Sequence, residues 1–355
     1  MKISLAIITG NAEKYISRFL DSFSGLADEI IVVRACGNQT PDYTMEIAEQ
    51  RGCIVAEYKN AEGNDWPHVD NFAAARNKAF SMASHEWIAW ADTDDTLTEG
   101  SIEAIRHAIE MHGHETDGFR IMYDVPDDGV KVYKDRVVRK GSTQWRYPIH
   151  EELAFLNDNP RICFVPEAEV RHEPSGSRKA NDERNLRLLE SIPKDQISVG
   201  HRFHLIQTLR AVGKMEEMVT LCVDLLREPT LANHERYELL MQLAELCPNR
   251  QEQGNLYLQA LGVDPRRREA YGELTIWSLI TGRIDHALGF SKVMLALDPP
   301  DEYMWNLRKK YYGWMGIWLR AMALRASGKR EQADAMQFNH FRDHGAKISL
   351  LHATR

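Results

Sequence analysis

Strand and helix alternate so quickly at the start of this chain that few folds can hold them. Residues 3–8 form an apolar run of strand length. A turn at Thr9, Gly10 and Asn11 leads into a helix to about Ser24, with Ile16, Phe19, Leu20 and Phe23 at helical spacing. Residues 29–33 read as a second strand ending at Arg34, and a polar loop follows at residues 37–41. The next helix runs from about Pro41 to Arg51, with Gly52 as its stop, and residues 54–58 give a third strand. Such a strand–helix–strand–helix–strand run signals a parallel, doubly wound sheet of Rossmann-like type. The chain has no G-x-G-x-x-G and no P-loop, so a dinucleotide or P-loop nucleotide site is not supported.

A further apolar run, residues 87–91, stops abruptly at Asp92, Thr93, Asp94 and Asp95. Burying these carboxylates without partners would cost several kcal/mol each. A strand that delivers them into a cleft, where oxygen ligands hold a hard divalent cation, answers that cost. A polar turn after a strand is the plain alternative. No basic partner stands close to the cluster in sequence. The preceding helix, residues 71–80, is rich in alanine and carries Arg76 and Asn77, which either face solvent or contact phosphate or base. Residues 118–125 and 131–138 read as strands around an Asp127, Asp128, Gly129 hairpin turn. His150–Glu151 and His172–Glu173 are two His–Glu pairs downstream of the acidic cluster.

From about Asp182 strand signals vanish and helical periodicity continues to the end. Gly213, Gly282 and Gly328 recur in similar contexts, each followed by a charged turn and another helix. Gly213 and Gly282 lie 69 residues apart, about twice the ~34-residue tetratricopeptide period. Helix pairs of this kind bury their faces by stacking. The bulk numbers exclude some classes. A net charge of −8 gives no support to nucleic acid as the main partner. No stretch approaches the roughly 18 apolar residues of a membrane span. Five scattered cysteines without a C-x-x-C fit a reducing compartment and a cytoplasmic protein without structural zinc.

Taken in order, the motifs resemble the family 2 glycosyltransferases, in particular the branch with C-terminal tetratricopeptide repeats. They are Thr9 with Asn11–Glu13, residues 28–33, residues 71–77 ending in Arg76 and Asn77, Trp90–Asp95, Ile149–Glu151, and Arg171–His172, with Arg184–Leu186 just before the repeats. The resemblance implies an α/β GT-A domain with a mostly parallel sheet over residues 1–190, and an all-α tetratricopeptide-like domain over residues 191–355. It implies a metal-dependent, inverting transfer of sugar from a nucleotide-diphosphate sugar, most simply a UDP-sugar. A divalent metal, Mn²⁺ or Mg²⁺, neutralises the departing diphosphate in such a reaction. The implied metal ligands are Asp92, Asp94 and His172, and the implied donor contacts are Thr9, Arg34, Asn38, Arg76 and Asp92. The base is expected among Glu151, His150 and Asp95, in that order. Arg34 departs from the pattern, because the family has a carboxylate there that accepts a base N–H, and an arginine has no acceptor. The repeats are expected to hold a saccharide, peptide or protein acceptor, and homo-oligomerisation is left open. The competing reading is a non-catalytic interaction protein whose degenerate donor site has ceded its role to the repeats.

Overall fold

The computed structural model describes residues 1–126, 130–173, 178–298 and 307–343, so the expected turn at Asp127–Gly129 and most of the insert before Tyr312 lie outside them. The chain forms two compact units, Met1–Lys214 and Met215–Arg355.

In the first unit the expected alternation is realised. β1 (Ile3–Thr9), β2 (Glu29–Arg34) and β3 (Ile54–Glu57) pair in parallel, and α1 (Ile16–Phe23), α2 (Thr44–Gln50) and α3 (Phe72–Met82) join them to each other and to β4 (Trp87–Ala89). Every residue of β1 is buried, as a strand covered on both faces must be. α1 turns Ile16, Phe19, Leu20 and Phe23 onto one face of the sheet, while the alanines of α3 pack closely on the other. Then follow β5 (Asp95–Leu97), α4 (Ser101–His112), β6 (Gly118–Val125), β7 (Val130–Arg139), β8 (Thr143–Arg146), β9 (Glu152–Phe155), β10 (Ile162–His172), α5 (Arg178–Glu190) and α6 (Val199–Ala211).

The main sheet has eight strands in the order β3-β2-β1-β4-β7-β6-β10-β5. Parallel pairing covers β3-β2-β1-β4 and β6-β10, whereas β7 and β5 run antiparallel to their neighbours. β8 and β9 form a separate two-stranded sheet. The apolar strand of the acidic motif is shorter than its sequence suggests: β4 ends at Ala89, and Asp95 opens β5, a strand the sequence did not announce.

The second unit is all helix: α7 (Met215–Leu225), α8 (Asn233–Leu246), α9 (Arg250–Val263), α10 (Arg268–Ile280), α11 (Ile284–Ala296), a 3-10 turn at Lys309–Tyr312, α12 (Trp314–Ala326) and α13 (Arg330–Asp343). Gly282 and Gly328 end their helices with φ of 72° and 84°. The residue after each donates to a carbonyl five back, Arg283 N to Ser278 O at 2.8 Å and Lys329 N to Leu324 O at 2.9 Å. This is the left-handed glycine cap that ends a helix and turns the chain back. Gly213, at the end of the first unit, has φ 83° and the same bond, Lys214 N to Leu209 O at 2.9 Å. No helix among the described residues is long and apolar enough to cross a membrane.

Candidate active site

The C-terminal ends of β1 and β4 carry the site, as expected at the switch point of an open α/β sheet. The residues between β4 and β5 fold into a turn in which Asp95 N donates to Asp92 O at 2.9 Å and Asp92 N to Asp95 Oδ2 at 3.0 Å. That turn sends Asp94 and Asp95 towards His172 and Asp92 towards Arg76.

Asp95 is wholly buried. Arg136 of β7, itself 2% exposed, pairs with its Oδ2 at 3.2 Å. The Arg136 guanidinium lies 4.0 Å from the Trp90 ring centroid and 4.4 Å from that of Tyr123. Because Asp95 and His172 stand opposite each other in the antiparallel β5–β10 pair, the other oxygen, Oδ1, meets His172 Nδ1 at 2.9 Å. Asp94 Oδ1 lies 3.6 Å from the same nitrogen. Burial disfavours the charged imidazole of His172, but the Asp95 hydrogen bond and the Asp94 charge outweigh it and raise its pKa above the usual value. Asp94, Asp95 and His172 each offer one ligand atom within 4.8 Å of the others. Carboxylate oxygens with one imidazole suit Mn²⁺, so these residues fit a divalent cation.

Asp92 points to a different partner. Its Oδ1 takes a 2.7 Å bond from Arg76 Nη2, and Arg76 Nε reaches Glu151 Oε1 at 2.6 Å. Burial opposes ionisation of Asp92, yet Arg76 and then Arg136 hold its carboxyl well below the usual carboxylate range. Arg76 is 7% exposed, and its guanidinium lies 4.9 Å from the ring centroids of both Trp90 and Trp145. Its Nη1 is buried without a hydrogen-bond partner among the described residues. Asn77 is a brace: its side-chain amide exchanges two hydrogen bonds with the backbone of Trp145, at 2.9 and 3.0 Å. Lys134 completes the charged surroundings of the acidic turn. Burial and Arg136 push its pKa down to about 8, against the pull of Asp92 and Asp95.

A cavity of about 320 Å³ opens beside Arg76 and is lined by Thr9, Asp92, His150, Glu151 and, from α5, Arg184 and Asn185. The segment that brings in His150 and Glu151 is unusual, since Tyr147 and His150 both take left-handed backbone, with φ of 72° and 48°. The His150 ring stacks on His204 of α6, with centroids 3.8 Å apart. Burial pushes His150 down to about 4 and His204 to about 3, so both are neutral at physiological pH. His201 Nε2 lies 3.1 Å from Ile149 O and fastens the same segment to α6.

Thr9, Arg76, Asp92, His150 and Glu151 are therefore brought together around one cavity, with Asp94 and His172 grouped beside Asp95. Arg34 and Asn38 are not among the lining residues. Arg34 is buried, with its guanidinium on Glu57 Oε1 at 2.8 Å, Gln39 O at 2.6 Å and Asn11 Oδ1 at 3.3 Å. It ties the ends of β2 and β3 together, and the register had placed it opposite Glu57. Asn38 meets Trp66 O through its backbone N–H at 3.0 Å. Sequence reasoning missed Arg136 and Lys134, whose alternation along β7 puts both on the face shared with the acidic turn. It also gave Arg184 no chemical role.

Residues 4–173 match the family model described as Glycosyl transferase family 2. The SPbeta prophage-derived glycosyltransferase SunS of Bacillus subtilis is 25% identical over 221 residues, covering 58% of this chain and 50% of that protein. A TPR repeat-containing protein of Synechococcus elongatus is 26% identical over 181 residues, covering 48% of this chain and 42% of that protein. The chain thus spans about half the length of the curated relatives it matches. Among solved structures, S. aureus TarS 1-349 in complex with UDP-GlcNAc aligns over 97% of this chain and 92% of that one, with 16% identity and a TM-score of 0.39.

Proposed function

We propose, from the match of residues 4–173 to the Glycosyl transferase family 2 model and the helical unit that follows, that the chain transfers a sugar, with inversion, from a nucleoside-diphosphate donor to an acceptor nucleophile. The observation that carries this reading is the Asp92–Arg76–Glu151 bridge inside a cavity that begins at Thr9. One guanidinium, resting against two indoles, sets the spacing of a donor-side and an acceptor-side carboxylate. Positioning of this kind removes a large part of a bimolecular barrier.

Glu151 is the base in this reading. Its Oε1 is held by Arg76, and Oε2 has no hydrogen-bond partner among the described residues. Oε2 is thus the atom offered to the acceptor proton. His150 lines the same cavity, but a pKa near 4 makes it a weak acceptor of protons at neutral pH. Asp95 is buried and acts by orientation, fixing the His172 ring through Nδ1. Asp94 and His172 would hold Mn²⁺ or Mg²⁺, which when bound neutralises charge on the leaving diphosphate. Thr9 and Asp92 would contact the nucleoside, for which UDP is the first choice, whereas Arg34 acts on the loop of residues 37–41 rather than on the base. The repeats would receive the acceptor or a partner protein. The five cysteines form no disulfide, which supports a reducing, cytoplasmic setting.

The test is a panel of nucleotide sugars with Mn²⁺, read by donor turnover and by thermal shift, on wild type and Glu151→Gln. Loss of general-base help lowers transfer by about 10²–10⁴-fold while the donor-induced thermal shift persists. If no nucleotide sugar is turned over and none stabilises the wild type, the reading is wrong.

A further inference from the structure

A second cavity, of about 550 Å³, lies apart from the one that holds Glu151, and no residue lines both. Its volume falls within the roughly 300–1,000 Å³ of small-molecule sites. Three segments of the first unit build it: Asp70 and Asn71 just before α3, residues 144–148, and the turn between α5 and α6 with residues 191–193 and Gln196. That turn lies beyond the residues matched by the family model. Ile192 anchors it, buried in a cluster with Ile149, Leu188 and Leu189.

The wall is polar and formally neutral. Asp70 and Arg146 are its charged residues, and their charges cancel. The Asp70 carboxylate is already engaged, taking bonds from Tyr58 OH at 2.8 Å and Ala61 N at 2.7 Å. The Gln144 and Gln196 carboxamides, the Arg146 guanidinium and the Tyr147 hydroxyl have no hydrogen-bond partner among the described residues. Alternation along β8 puts Gln144 and Arg146 on one exposed face, with Trp145 buried between them. A carboxamide both donates and accepts, and a guanidinium donates, which is the mixture that ligand hydroxyls satisfy.

Tyr147 supplies the apolar part. Of the two left-handed residues, His150 lines the first cavity and Tyr147 this one. Strained backbone of this kind persists where the surroundings impose it, and it clusters at ligand sites. The Tyr147 ring is held against that of His201, with centroids 4.0 Å apart, and Pro148 and Pro193 add apolar surface beside it. A sugar ring has the matching character, an apolar C–H face with a rim of hydroxyls. An extended peptide fits less well, since it would pair with the free edge of β8. Asn77 already bonds both backbone groups of Trp145 there, at 2.9 and 3.0 Å, and Phe72 N takes Pro148 O at 2.9 Å.

We propose that this second cavity is a binding site for a neutral saccharide, held by Gln144, Arg146 and Gln196 through its hydroxyls and by Tyr147 through its apolar face. The site is separate from the cavity of Arg76 and Glu151, and it stands whether or not sugar transfer takes place there.

The experiment is an array of neutral oligosaccharides probed with the labelled full chain, followed by calorimetry on the strongest binder. Wild type is expected to bind. Gln144→Ala and Gln196→Ala, both at exposed positions, should each weaken binding about 2–10-fold, the range for one lost hydrogen bond. The double variant should bind more weakly than either. Tyr147→Phe keeps the ring and removes the hydroxyl, so it should fall in the same range and keeps the test decisive if an alanine variant fails to fold. Equal affinity in wild type and variants overturns the proposal, as does an array on which no neutral glycan is bound. Binding confined to acidic glycans and lost in Arg146→Gln would make this an anion site and overturns it too. So does a peptide array bound in preference to the glycans and weakened by the same variants.

Discussion

Replacing Asp95 by Asn removes the anion from the most deeply buried ion pair of the site. Asp95 is 0% and Arg136 2% exposed, and their 3.2 Å contact is backed by Asp92 N and His172 on the carboxylate side. Nε and Nη2 of Arg136 already lack hydrogen-bond partners among the described residues, and the other nearby carboxylate, Asp92, is engaged by Arg76. Breaking a buried pair from one side costs about 3–5 kcal/mol, because the remaining charge stays desolvated. In a unit of this size that is a fall in Tm of about 6–20 °C. Urea unfolding read by hydrogen exchange in β4 and β7 follows this unit separately from the repeats. Arg136→Met should be of comparable effect. The Asp95→Asn/Arg136→Met double variant should lose less than the sum, with a coupling of about 1–3 kcal/mol. A single Asp95→Asn variant within about 1 kcal/mol of wild type, or an additive cycle, would show that the pair is not what holds the acidic turn.

His150 and His204 stay neutral in the folded chain, with values pushed down to about 4 and about 3, whereas both take up protons near pH 6.5 when unfolded. Their contribution to stability is therefore complete above about pH 6.5 and is lost as the pH falls towards the folded values, at up to about 1.4 kcal/mol per pH unit for each. Urea midpoints across this range should show that slope, and His204→Phe, which keeps a ring in the stack, should remove its share. Asp94→Asn should weaken Mn²⁺ binding, followed by electron paramagnetic resonance, by more than the 10–100-fold expected for an outer-shell partner; unchanged affinity would place the ion elsewhere. In the second unit a Cβ at Gly272 would fall on the ring of Tyr311, which is fully buried. Gly272→Ala should destabilise that unit by about 1–3 kcal/mol, and a neutral result in thermal unfolding would mean that the ring can move aside.

Much of the first unit was legible because its signals are local. Apolar runs of strand length separated by amphipathic helices dictate parallel crossovers, and the turn glycines of the helical unit mark their caps whatever surrounds them. The site was legible as a list of residues, less so as a set of contacts. The acidic cluster looked short of basic partners because its partners, Arg76 and Arg136, arrive from α3 and β7. Only strand order makes them neighbours. The ion-pair partner of Arg34 was hidden for a related reason. Viewed as the end of one strand it faces a ligand, but viewed beside β3 it meets Glu57 at the matching position. β5 was hidden by its shortness, and with it the reason Asp95 and His172 meet.

The left-handed backbone at Tyr147 and His150 bears on how this protein could change over generations. Each such residue is held at about 1–3 kcal/mol above a relaxed conformation, on either side of Pro148 and Ile149 and immediately before Glu151. Glycine or asparagine would relieve that strain. A population selected for heat resistance alone should therefore accumulate Gly or Asn at these two positions, and lose the stacked imidazole that fixes the strap. One selected for transfer should retain Tyr and His. Parallel selections of the two kinds would show whether durability and turnover are opposed at this strap.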